Sequence, residues 1–150
     1  MKQRQTTRNW SKSEGGGRPT VRVLIESADP ALAVSDFGVY AAAGVEVALC
    51  QGPDHDSTDC PLVRGEPCHL VAGADVVLSD LGPSGPDVVE AQRRSYPATP
   101  VVLWGSWNGE VPEGCVSLPA TASVEGQIAV LRHEARIART VRAAGRATGA

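Results

Sequence analysis

ADVVLSDLGPSGPDVVE, residues 74–90, is the stretch that decides how this chain folds. It begins with an apolar run rich in β-branched residues and turns polar at Ser79 and Asp80. Such a run, 74–80, reads as a strand buried on both faces. Gly82, Pro83 and Gly85 then break the chain, and residues 86–95 read as a helix. A buried strand that ends on a carboxylate just before a helix puts that carboxylate at the carboxyl edge of the sheet. In open α/β sheets ligands bind beyond that edge.

The same alternation extends in both directions. VRVLIE (21–26), VEVALC (45–50), TPVVLWG (99–105) and CVSL (115–118) read as four further strands. Residues 31–43 read as a helix, with Leu32, Phe37, Val39 and Tyr40 as core contacts and Gly44 as its stop. A longer helix over 121–144 carries Val124, Ile128, Leu131, Ala135 and Ala138 on one stripe. Pro53, Pro61 and Pro67 punctuate 51–73, so at most a short helix fits near 67–72. Residues 105–114 are too few and too turn-rich for a regular helix. Strands alternating with helices imply a parallel sheet with right-handed crossovers.

Length and composition bound the rest. The 150 residues suit one domain with a real core, and 42% of them are apolar. Residues 1–19 are polar and contain Gly15, Gly16 and Gly17, which reads as a disordered arm. The domain is expected over 20–144, with 145–150 a disordered tail. No run is long and apolar enough to span a bilayer, and the first twenty residues lack the apolar stretch of a secretory signal. The cytoplasm is therefore the expected location. Lys2 and Lys12 are the only lysines against a dozen arginines, the composition of a GC-rich bacterial genome.

Charge is distributed unevenly around a net −3. Residues 1–20 have five basic and one acidic side chain, residues 120–150 five and two, and the middle four and fourteen. An acidic middle argues against nucleic-acid binding by the core. Arg132, Arg136, Arg139, Arg142 and Arg146 recur every three or four residues and share a helix face. Such a face meets an anionic partner or, more commonly, only solvent. No phosphate loop, dinucleotide fingerprint or helix-turn-helix is present.

Residues 74–90, together with Pro100 to Trp104 and Ser117-Leu118-Pro119, resemble the receiver domains of two-component response regulators, the CheY-like, flavodoxin-like class. The resemblance spans about 20–140. It implies a doubly wound five-stranded parallel sheet of order 2-1-3-4-5 with helices on both faces, the second and fourth reduced here. It puts Asp80 in the place of the aspartate that accepts phosphate. A plainer role for Asp80 is to cap a turn or the next helix. The departures are chemical. The two Mg²⁺-holding acids after the first strand fall on Ser27 and Ala28, leaving Glu26 and Asp29 as the nearby acidic groups. The hydroxyl at the end of strand four falls on Gly105, with Ser106 one step out of register. The strand-five lysine falls on Leu118, which removes the fixed cation from any phosphoryl group. The expectation is a degenerate receiver: a regulatory domain that works through a protein partner, is no enzyme and holds Mg²⁺ weakly if at all.

A second class of function rests on sulfur. Cys50 ends the second strand, on the same edge as Asp80, and Cys60, Cys68 and His69 follow in the loop, with His55 near. Cys115 starts the fifth strand and belongs to the opposite edge. Thiolates with imidazole suit zinc or an iron–sulfur centre, or a redox pair. The x7 spacing from Cys60 to Cys68 is not a paired C-x-x-C, and small buried hydrophobes are the plainer reading. The loop should be held in place, with Leu62 and Val63 packing downward and its prolines limiting the entropy lost on ordering. Trp104 is expected in the core and Trp107 at the rim.

Overall fold

The aliphatic runs that read as strands pair in one sheet. β1 (Val21–Ser27), β2 (Val45–Cys50), β3 (Val76–Asp80), β4 (Val101–Trp104) and β5 (Cys115–Leu118) are all parallel, in the order β2-β1-β3-β4-β5. The computed structural model describes residue 10 and residues 21–29, 35–53, 56–105, 107 and 109–148. The helices are α1 (Phe37–Ala42), α2 (His69–Gly73), α3 (Gly85–Ser95) and α4 (Val124–Thr148).

Because strand side chains alternate, each strand feeds two cores. Val23, Ile25, Val47, Leu49, Val76, Leu78 and Val102 meet Tyr40 of α1 and Ile128, Leu131 and Ala135 of α4 on one face. Leu24, Ala48, Val77, Val101 and Leu103 meet Leu70 and Val71 of α2, Val89 and Ala91 of α3, and Leu62 of the loop on the other. Each such side chain, fully buried, contributes roughly 1.5–3 kcal/mol. The Tyr40 hydroxyl donates to Gln127 Oε1 at 3.1 Å, which ties α1 to α4 inside the first core.

Several expectations shift in detail. Val39 was expected in the core and is 39% exposed. Tyr40 takes the sheet-facing position, and its neighbour lies about 100° round the helix. Leu32 lies outside the described residues. α4 continues to Thr148, past the boundary at 144, and residues 145–148 are helical. Its buried contacts end near Ala135, and Ile137 and Val141 further on are exposed. Among the described residues no helix lies between β4 and β5, as the turn-rich 105–114 implies.

The proline-rich segment is held by ordinary packing. Asp56 caps the 3-10 turn Ser57–Asp59 by accepting from the Thr58 N–H at 2.8 Å and from the Thr58 hydroxyl. Ser57 donates to Asp87 at the start of α3 at 2.7 Å. Arg64 donates to the Thr58 carbonyl at 2.9 Å, and Leu62 is buried. The Cys68 N–H donates to the Tyr96 hydroxyl at 3.1 Å just as α2 begins.

Trp10, inside the segment expected to be a disordered arm, is docked on the domain. Its indole N–H donates to the Leu70 carbonyl at 2.9 Å, and its ring lies over Gly73, where a Cβ would collide with it. The Arg22 guanidinium stacks 5.5 Å from the ring centroid. The rest of 1–19 lies outside the described residues.

Candidate functional site

β1 and β3 bring the sequence-marked groups to one edge. Ser27 is the register partner of Asp80, and the Ala28 N–H donates to the Asp80 carbonyl at 3.3 Å. Asp29 follows, exposed, at the same edge. The Asp80 carboxylate is exposed at the strand end, and partial burial raises its pKa above the ordinary value. Gly105, with φ +88°, ends β4 beside it, and a Cβ there would sit 3.6 Å from Asp80 Oδ1. The glycine therefore leaves open space where the resemblance implies a hydroxyl. Ser106 lies outside the described residues.

The cleft in front of Asp80 is small. It has a volume of about 20 Å³ and is lined by Ser79, Asp80, Leu81, Gly82, Gly85, Trp104 and Trp107. That is room for about one water molecule. Trp107 makes it small: its ring reaches over Gly85, 3.5 Å from where a Cβ would stand, and its N–H donates to the Glu110 carbonyl at 3.2 Å. Trp104, expected in the core, is partly buried against the α1–α4 core, and its indole nitrogen is buried without a partner. Trp107 is at the rim, as expected.

The other acidic group points elsewhere. Glu26 continues the Leu24 side of β1 and is buried, 3% exposed, under α3. Gln92 Nε2 donates to its Oε2 at 2.6 Å, and Ser79 also bonds its side chain. Burial pushes its pKa up to about 7 against these hydrogen bonds. The structure therefore separates Glu26 from Asp80, one beneath the sheet and one at its rim. Sequence reasoning missed Gln92. Its signal was a polar residue four places after Val88 on the buried face of α3.

The donors at the edge do not suit Mg²⁺. The Ser27 hydroxyl is used by Asp29, donating to its carbonyl at 3.0 Å and accepting from its N–H at 3.2 Å. Leu118, in the place of the family's lysine, is 7% exposed and packs in the core with Trp104. Among the described residues no group of three His, Cys, Asp or Glu side chains is arranged to hold a metal. Asp80 and Asp29 alone leave the octahedral ligand demand of Mg²⁺ largely to water.

The cysteines divide between the two sheet edges at their strand positions. Cys50 pairs in register with Glu26 at the carboxyl edge, and Cys115 pairs with Val101 at the start of β4. Cys50, Cys60, Cys68 and Cys115 all pack against the α2–α3 core as free thiols. Burial pushes the Cys50 thiol up to about 12, with the charge of Glu26 adding to the effect. Burial also raises Cys68. His69 is exposed at the first turn of α2, and His55 lies outside the described residues.

No protein-family model matches the chain, and no curated protein sequence matches it either. Solved structures do. A response-regulator receiver protein from Sinorhizobium medicae matches over 80% of this chain and 98% of its own, at 16% identity and a TM-score of 0.58. A receiver domain from Clostridium thermocellum matches over 81% and 98%, at 15% identity and a TM-score of 0.60. The signal receiver domain of an HD-domain protein from Pseudomonas fluorescens matches over 88% and 98%, at 14% identity and a TM-score of 0.60. Strand order, edge and these likenesses agree: the chain has the fold of a response-regulator receiver domain.

Proposed function

We propose that this chain is a receiver-like signalling module that acts by binding another protein, not as an enzyme, and is not competent for Mg²⁺-dependent phosphotransfer. The observation that carries this reading is Leu118. A transferring phosphoryl group needs fixed positive charge close by. Here the strand-five position that would supply it is an aliphatic side chain packed into the core. Ser27 and Ala28 give no carboxylate pair, and Trp107 narrows the cleft around Asp80. Incubation with acetyl phosphate and Mg²⁺, followed by intact-protein mass spectrometry, is expected to show no phosphoryl adduct. An adduct that Asp80→Asn abolishes would overturn the reading.

The packing of Cys50, Cys60 and Cys68 against one core supports a second reading, a thiol-based redox or metal-binding role. The raised thiol pKa values weigh against it, since the thiolate is the nucleophile and the ligand. Metal analysis and mild oxidation of reduced protein test it. Bound zinc or iron, or a Cys60–Cys68 disulfide, would favour sulfur chemistry over the first reading.

A further inference from the structure

The amino edge of the sheet, opposite Asp80, carries a second concavity. Val21 at the start of β1, Gly44 just before β2, and Arg132, Arg136 and Arg139 of α4 line a half-open cavity of about 280 Å³. The arginines are spaced by four and three, so one face of the helix presents all three guanidinium groups. Arg139 is anchored: it bonds Asp75 Oδ2 at 2.8 Å, and the same oxygen accepts the Arg22 backbone N–H at 2.8 Å. The guanidinium groups of Arg132 and Arg136 make no hydrogen bond or ion pair with the described residues. Gly44 follows α1 at φ +75°, a conformation that favours glycine, and lies beside the Arg132 guanidinium.

Like charges one helical turn apart repel unless something anionic lies between them. Arginines on a merely solvated face can spread apart, whereas these line a single hollow. Arg132 and Arg136 add two positive charges that no carboxylate among the described residues pairs with. A monocarboxylate would balance half of that, and a phosphate or diphosphate balances all of it. The guanidinium fork also matches pairs of phosphate oxygens. The cavity is near the lower end of ligand-pocket sizes, roughly 300 Å³ upward, which suits a compact anion. Residues 21–119 carry fourteen acidic against four basic side chains, so this row of arginines contrasts with the body of the domain.

We propose that this cavity binds a small phosphorylated solute of about diphosphate size. Arg132 and Arg136 take its oxygens, and the Asp75-anchored Arg139 closes the third side. The site is independent of the Asp80 edge and of any role assigned there.

Pyrophosphate titrated into the full chain tests this, by calorimetry and thermal melting, with sulfate and chloride at matched ionic strength. The expected result is saturable binding of one equivalent, at least tenfold tighter than sulfate. Arg132→Gln with Arg136→Gln should weaken it at least tenfold. Arg142→Gln, on the same helix but outside the cavity, should change it less than twofold. Both paired positions are exposed, so the unliganded melt of the double variant should match the parent. Binding no tighter than sulfate, an unaffected double variant, or an equal loss in Arg142→Gln would each overturn the site. A short DNA duplex carries the same phosphates on a polymer. Duplex binding tighter than pyrophosphate, lost in the same double variant, would overturn the small-solute assignment.

Discussion

Glu26 is a carboxylic acid enclosed where its charged form is poorly served. Its Oε2 accepts from Gln92, but Glu26 Oε1 and Gln92 Oε1 are both buried without a partner. A proton on Glu26 supplies a donor to a pocket that has two orphan acceptors. Burial holds its pKa near 7, against 4.5 for the exposed acid. Because the folded value is raised, the stability this group contributes is fully present below pH 4.5. It declines as pH rises towards 7 and is lost above that. Glu26→Gln should therefore match the parent near pH 4 and exceed it near pH 8, by on the order of 3 kcal/mol at most. Urea denaturation across that range checks it, and parallel profiles for the two proteins would show that Glu26 is not the titrating group. Nothing in the residues 21–26 betrayed this. A strand read alone gives alternation, but which face α3 covers, and with which residue, is a tertiary fact. Asp80 was legible because strand and break are adjacent in sequence, and so was the loss at 118. That Leu118 turns into the core, and that Trp107 crosses to Gly85, needed the folded loop.

At the scale of elements, the strands were legible almost to the residue, since aliphatic runs bounded by glycine and proline have few other uses. Helix limits were less so. α4 outruns its apolar stripe because Arg and Ala keep helical propensity after packing has ended. Trp10 was invisible because a lone aromatic in a polar arm gives no periodicity, and its seat is made by the absence of a side chain at Gly73. The segment from Gln51 to Gly73 was expected to be held, with sulfur as a candidate clip. The structure buries Leu62 there, 1% exposed, with the bonds of Ser57, Asp56 and Arg64 around it, and these contacts hold the segment without a sulfur link. Leu62→Ala should cost about 2–5 kcal/mol and raise hydrogen exchange over 56–68 while the strands stay protected. Cys60→Ser with Cys68→Ser should cost less and leave that exchange slower than in Leu62→Ala. The opposite order would return the loop to its cysteines. Trp10→Ala should lower stability by about 1–3 kcal/mol, less than a core truncation because the ring is only partly buried. A urea midpoint equal to the parent's would mean that the Trp10 contact contributes nothing in solution.

Over the whole molecule, the two sheet edges differ in how they are closed. The carboxyl edge ends in open turns around Asp80, whereas the amino edge is tied across the fold by Asp75. That carboxylate, 7% exposed, accepts from the Arg22 N–H of β1 and from Arg139 of α4, joining the central strands to the longest helix beyond the end of the hydrophobic stripe. Two contributions can be separated. The Arg139 side chain is 42% exposed, so solvent screens the ion pair and leaves it worth at most about 1 kcal/mol. The bond to the strand N–H lies deeper, and leaving such a donor unsatisfied costs roughly 1–3 kcal/mol. Asp75→Asn keeps an acceptor for the N–H and loses the charge, so it should destabilise by about 1 kcal/mol, an effect that shrinks in high salt. Asp75→Ala loses both and should cost about 2–4 kcal/mol, of which only the ion-pair part, about 1 kcal/mol, shrinks in high salt. Exchange protection over 136–142 should fall in Asp75→Ala, because that stretch of α4 has few apolar contacts to hold it. Equal losses in the two variants would mean that the charge, not the acceptor, closes this edge. The amino end of the sheet would then be held by an electrostatic tie that salt can release.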